Sequence, residues 1–212
     1  MKFTKAMKSY WSRILLFGVL GGLAACAGGD QRLPVLGLRE FNGSDTVYHT
    51  IAPFQFVDQD SVIVTNADFR GKIYVADFFF TSCRTICPIM KTQMLRVYEA
   101  TADMPDVLLL SHTIDPEWDT VALLHDFAER LGVESQRWHF VTGIKDSIYN
   151  IAQTSYYATA MEDRTEPDGF IHSGAFLLVD RKGRIRGKYD GTMEQDVNRL
   201  IGDIKRLRRE NE

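Results

Sequence analysis

From about residue 54 onward, short apolar runs alternate with amphipathic stretches, and the two obey different periods. Residues 72–80 (KIYVADFFF) form a β-branched and aromatic run broken by one acid, Asp77, which is the composition of a strand buried on both faces. Residues 107–113 (VLLLSHT) and 138–142 (WHFVT) have the same character. Between these runs the spacing becomes helical. Met90, Met94, Leu95 and Val97 predict a helix over 88–102, and a second runs from Asp119, as N-cap, to Leu131 with Gly132 as its stop. A third helix is predicted over 146–154, and an amphipathic one over 193–208. Two hairpins complete the pattern: residues 54–57 and 61–65 around Asp58-Gln59-Asp60, and residues 175–180 and 185–189 around Arg181-Lys182-Gly183.

The order βαβαβα followed by ββα, with short connections, predicts an α/β fold. Its central mixed β-sheet carries helices on both faces and an N-terminal β-hairpin. Ligands of such sheets gather at the carboxyl ends of the strands. The 72–80 strand ends there and leads directly into Cys83 and Cys87.

The first 25 residues have another purpose. Lys2, Lys5, Lys8 and Arg13 precede an apolar run over 14–25, too short for a bilayer span and of the length of a signal-peptide core. Its end, Leu23-Ala24-Ala25-Cys26, resembles the lipobox of bacterial lipoproteins, whose cysteine is diacylated and becomes the first residue of the mature chain. That resemblance implies a signal peptide over 1–25, a lipidated Cys26, and a tether over 26–45. The folded domain then occupies 46–212, on the extracytoplasmic (periplasmic) face of a cell membrane. A net charge of −3 supplies no basic excess for phosphates, so nucleic acid is not an expected partner. The basic residues 205–209 suit the end of a helix.

With Cys26 committed to lipid, Cys83 and Cys87 are the remaining two of three cysteines. Pro88 is favoured at the first helical position, which places Cys87 at or near the N-cap and Cys83 in the turn before it. The helix terminus and the neighbouring Arg84 favour thiolate, the form that binds soft metals and attacks disulfides. Three residues separate the cysteines, one more than in thioredoxin-type reductases, and the longer loop can turn both sulfurs towards one ligand. Two sulfurs with an imidazole suit Cu(I), and also Cu(II), whereas zinc wants a fourth ligand. Two histidines stand at the right end of the sheet: His172 in the 168–173 loop, and His112 at the end of the 107–113 strand. His125 and His139 fall within elements and read as structural, while His49 lies in the stretch ahead of the first predicted hairpin and reaches the site only by loop folding.

The segment Thr81-Ser82-Cys83-Arg84-Thr85-Ile86-Cys87-Pro88 resembles the cysteine motif of the Sco/SenC family. Asp115-Pro116-Glu117-Trp118-Asp119-Thr120 resembles its DPE-x-DT segment, and Ile171-His172-Ser173 its copper-binding histidine segment, in the same order and spacing. The resemblance covers roughly residue 53 to the C-terminus. It implies a thioredoxin-like fold with copper held by Cys83, Cys87 and His172. It also implies a role in delivering copper to, or reducing the cysteines of, the binuclear copper site of cytochrome c oxidase subunit II, or serving another copper or thiol client. Two departures stand out: Arg84 where many relatives have proline, and Ile171 where many have aspartate.

A second function class fits the same residues. An extracytoplasmic thiol–disulfide oxidoreductase would use Cys83 and Cys87 as a redox pair on a partner protein, without metal. A peroxide-reducing thiol enzyme is a weaker third. Asp77 has two readings, a proton acceptor for a thiol or a satisfied structural group. Asp115 and Glu117 are accounted for by turn formation, and residues 156–170 form an irregular stretch suited to a lid or partner surface.

Overall fold

The three apolar runs pair side by side as parallel strands. The computed structural model describes residues 32–163, 165, 166 and 168–210, so the expected signal peptide and Cys26 lie outside the described residues. In chain order the elements are β1 (Arg39–Phe41), β2 (Thr46–Tyr48), β3 (Gln55–Asp58), β4 (Ile63–Thr65), β5 (Ile73–Phe79), α1 (Cys87–Ala100), β6 (Val107–Thr113) and α2 (Val121–Leu131). They continue as β7 (Trp138–Thr142), α3 (Lys145–Thr154), β8 (Ala160–Glu162), β9 (Phe170–His172), β10 (Ala175–Val179), β11 (Ile185–Asp190) and α4 (Glu194–Arg209). Seven strands form one sheet in the order β11-β10-β5-β6-β7-β3-β4. Its β5-β6-β7 centre is parallel and the rest antiparallel.

Strand alternation sorts the side chains of β5 and β6 onto two covered faces. Phe79 meets Phe127 of α2 and Phe140 of β7 on one face. Phe78 and His112 meet Tyr156, just beyond α3, on the other. The expected mixed sheet with helices on both faces is therefore what forms, and the 55–58/63–65 hairpin is present at its edge.

Two short ribbons have no counterpart among the expected elements. Strand β1, in the segment read as tether, pairs with β2 at the start of the expected domain, and Leu33, also in the tether segment, is buried. Arg186 holds the carbonyls of Leu33 and Pro34, and the Leu36 amide donates to Ile185. One compact unit thus runs from Leu33, ahead of the expected start near residue 46. Strands β8 and β9 form the second ribbon, in the stretch expected to be irregular. Each is three residues long, too short to display an alternation.

Asp77, the acid inside β5, is fully buried and satisfied. Lys91 of α1 donates to it at 2.7 Å, Ser111 of β6 donates to its other oxygen, and Trp138 of β7 donates to Ser111 at 2.9 Å. The Lys91 ammonium also lies 4.0 Å from the centroid of the Phe79 ring. This is the structural reading of Asp77, and it ties the cysteine helix to three strands. Removing one member strands a buried charge. Lys91→Met is therefore expected to cost about 3–5 kcal/mol in chemical denaturation, and the double change Asp77→Leu with Lys91→Met to recover most of it.

Candidate metal centre

Cys83 lies in the turn that leaves β5, where its amide donates to Phe80 at 3.3 Å. The start of that turn is pinned by Asp119, which is buried and accepts from the Thr81 amide at 3.1 Å and from the hydroxyls of Thr81 and Thr113. Asp119 was expected as the cap of α2, but that cap is Thr120, whose hydroxyl accepts from the Leu123 amide. The acid instead locks the cysteine loop to the end of β6. Gly132 ends α2 in a left-handed conformation, φ 68°, as expected. Cys87 is the first residue of α1, with Ile86 at the N-cap and Pro88 following.

His172 closes β9, opposite Ala160 in register, so a strand rather than a loop carries it. β10 runs antiparallel to β5, which returns the chain just before Ala175 to the carboxyl end of β5. There the His172 Nε2 lies 3.2 Å from the Cys87 sulfur and 4.0 Å from the Cys83 sulfur. All three ligand atoms fall within 4.8 Å of one another. With metal–ligand bonds of about 2.0–2.3 Å, three ligands around one ion stand roughly 3.5–4 Å apart, so small adjustments close this set on a metal. The Phe80 ring meets the imidazole edge-on at 5.7 Å.

Cys83 and His172 border a cavity of about 240 Å³ with Phe80, Ile86 and Phe170, and the Cys87 sulfur lies within 4.8 Å of their ligand atoms. A larger cavity, about 640 Å³, lies among Ile51, Phe54, Phe69 and Tyr74 and has no cysteine or histidine in its lining. The smaller one holds the chemistry.

The sulfurs interact strongly. The hydrogen bond with Cys87 draws the Cys83 thiol well below its ordinary range, with His172 and Thr85 assisting against burial. Cys87 is pushed up, first by that same bond to Cys83 and then by burial. One proton is thus shared by two sulfurs, with the negative charge on Cys83. Both cysteines are free. Arg84 is exposed and its side chain hydrogen-bonds neither sulfur, so the expected cation beside the thiols is replaced by His172 and Thr85.

The other expected candidates go elsewhere. His112 is buried on the opposite face of the sheet among Phe54, Phe56, Phe78 and Tyr156, and burial lowers its pKa to about 4. His139 pairs with Asp58 and His125 with Asp60, as structural histidines do. His49 bonds to the carbonyl of Ser155. One residue at the site had no signal in the sequence: Asp168 accepts from the Arg84 amide at 3.1 Å.

The SCO1/SenC family model matches residues 42–209. The chain belongs to the SCO1/SenC family. The SCO1 protein homolog of Bacillus subtilis is 31% identical over 185 residues, covering 86% of this chain and 90% of its own length. Among solved structures, a SCO1/SenC family lipoprotein from Bacillus anthracis is 29% identical, with TM-score 0.70 over 76% of this chain and 95% of that one. BsSco, a member of the Sco family of cytochrome c oxidase assembly proteins with a disulfide switch, is 28% identical, with TM-score 0.71 over 85% of this chain and all of that one. Bradyrhizobium japonicum ScoI with copper bound is 25% identical, with TM-score 0.62 over 74% and 99%. The fold is thioredoxin-like, as the motifs implied. The Cys-Cys-His group is one that can hold a metal, and copper is the metal bound in solved Sco relatives.

The shared proton makes a kinetic signature. The reaction of Cys83 with iodoacetamide should change little between pH 8 and pH 6, where an ordinary thiol slows on the order of 100-fold. In Cys87→Ser, ordinary pH dependence should return in part. An ordinary dependence in the unsubstituted protein would contradict this charge assignment.

Proposed function

We propose that this Sco protein holds one copper ion between Cys83, Cys87 and His172 and hands it to a thiolate-rich acceptor. The carrying observation is the convergence of two sulfurs and one imidazole nitrogen, from positions 83, 87 and 172, within 4.8 Å. Two thiolates and one neutral nitrogen form a soft, low-coordinate set, matched to Cu(I) and tolerant of Cu(II). Transfer proceeds by ligand exchange. An incoming thiolate bonds to copper as one of the three ligands leaves, the copper oxidation state is unchanged, and protons released by acceptor thiols are taken up by Cys87 and then Cys83. Family membership supports as acceptor the binuclear copper site of cytochrome c oxidase subunit II, with another copper or thiol client as the wider class. The sequence ending at Cys26 supports a diacyl anchor that keeps the domain on the extracytoplasmic face of a membrane.

The closeness of the two sulfurs, within 4.8 Å of each other, favours a second reading, reduction of a partner's disulfide. In that reaction the Cys83 thiolate attacks one sulfur of the partner, whose other sulfur leaves as thiolate. Cys87 then attacks Cys83, releasing the partner's dithiol and leaving a Cys83–Cys87 disulfide that an external dithiol must reduce.

Two substitutions separate the readings. Reduced, anaerobically loaded protein should bind one copper with two sulfur and one nitrogen neighbours by X-ray absorption. His172→Ala should weaken binding by at least about 100-fold. Unchanged affinity in His172→Ala, together with covalent capture of a partner by Cys87→Ser, would transfer the assignment to the oxidoreductase.

A further inference from the structure

The imidazole that completes the metal site lacks the restraint such ligands ordinarily have. A metal-bound histidine usually donates its second ring nitrogen to a carboxylate or carbonyl, which fixes the ring. Here Nδ1 of His172 is buried and has no partner among the described residues, and the preceding side chain is Ile171. Its placement must therefore come from the backbone that carries it.

That backbone is the β8–β9 ribbon, a two-stranded sheet separate from the main one. Two strands alone are marginally stable in water. The base of the ribbon is held. The Ser173 amide donates to Thr159 at 3.0 Å, and the Gln153 side chain donates to Ala160 at 3.1 Å. Its flanks are held by Lys145 on Glu162 and by the Phe80 ring against Phe170, 4.9 Å between centroids. Beyond these, among the described residues, one side chain near the tip reaches the cysteine loop. Asp168 Oδ2 accepts from the Arg84 amide at 3.1 Å and stands 3.4 Å from the Thr85 hydroxyl, which is itself 3.5 Å from the Cys83 sulfur. Gly169, at φ 80°, turns the chain between Asp168 and Phe170. Among the described residues, Asp168 and His172 are the ribbon residues that hydrogen-bond to the 81–87 segment.

We propose that Asp168 is a positioning residue, a latch that closes the β8–β9 ribbon on the cysteine loop and thereby holds His172 at ligating distance. The inference rests on the copper-site reading for its consequence, but not for its geometry. A carboxylate accepting a backbone N–H is a charge-assisted bond. It joins the two segments four residues from the imidazole, where a small rotation of the ribbon moves Nε2 off both sulfurs. Losing the latch leaves all three ligands in the chain while freeing one of them to depart, so the first effect falls on the rate of metal loss. An asparagine retains an oxygen that accepts from the Arg84 amide, though without the charge. An alanine removes the acceptor altogether.

The test uses Asp168→Ala and Asp168→Asn in the full chain, with two readouts. Reduced protein loaded anaerobically with one Cu(I) is challenged with an excess of a Cu(I) chelator. Asp168→Ala should release copper on the order of tenfold faster than the parent, with Asp168→Asn between them. In the metal-free protein, hydrogen exchange at the Arg84 amide should quicken in Asp168→Ala while amides of β5 and β6 keep their protection, which separates lost positioning from lost folding. Copper release at the parent rate with Arg84 protection intact would overturn the latch. Parent protein that takes up no copper would overturn the copper reading instead, and the exchange measurement, which needs no metal, would still judge the latch.

Discussion

The structure turns on bringing one imidazole to two sulfurs that lie 85 residues and more away in the chain. No local propensity does this. Cys83 and Cys87 are placed by β5 and the first turn of α1, both set in the core. His172 arrives on a ribbon outside the main sheet, delivered by the chain that next enters β10. Because β10 is antiparallel to β5, the approach to β10 and the exit from β5 share one end of the sheet. The topology therefore supplies coarse proximity, and a few polar contacts supply the last few ångströms.

Rigidity is distributed unevenly around that meeting point. The sulfur side is over-determined. Asp119 locks the loop to β6, while the Asp77–Lys91 pair fastens α1 to β5 and β6, four residues along the helix from Cys87. Lys91 extends the buried stripe of Cys87, Met90, Met94 and Val97, so its charge had to find an internal partner. The imidazole side is held by a short ribbon and single hydrogen bonds. In the proposed copper transfer this asymmetry has a use: a fixed dithiol keeps its selectivity for soft metals, and a ligand on a lighter support can leave first. That same asymmetry makes the sulfur pair, not the histidine, the part that survives when the site opens.

The sheet and the site were legible to different degrees, for physical reasons. β5, β6 and β7 are largely apolar runs, and hydrophobic patterning reports burial directly, so their existence and order followed from the pattern. Cys83 and Cys87 were legible from spacing and from Pro88. His172 was less so: position left it in competition with His112, and the family motif decided between them. Burial of His112 on the other face of the sheet gives the physical reason. What stayed hidden were contacts between segments distant in sequence. Asp119 looks like a helix cap because it precedes a helix, and Asp168 looks like a turn acid because it precedes glycine. Neither residue's local context reveals that its acceptors are spent on the cysteine loop. The ribbons β1–β2 and β8–β9 escaped because three-residue strands with mixed composition leave no period to detect.

The copper and disulfide chemistries draw on one shared resource, and this orders them. A bound copper occupies both sulfurs and both negative charges, so a loaded dithiol has no free thiolate for a disulfide. A Cys83–Cys87 disulfide in turn needs sulfurs about 2.05 Å apart and leaves no thiolate for a metal. The two states exclude each other, and oxidation of the empty site blocks reloading until a dithiol reduces it. The shared proton sets which sulfur is exposed to each fate. Cys83 carries the charge and attacks first, whereas Cys87, protonated and closer to the imidazole, must lose its proton to enter either state. Deprotonation of Cys87 is thus a step common to metal loading and disulfide closure. His172 Nε2 stands 3.2 Å from that sulfur, within hydrogen-bond reach of it.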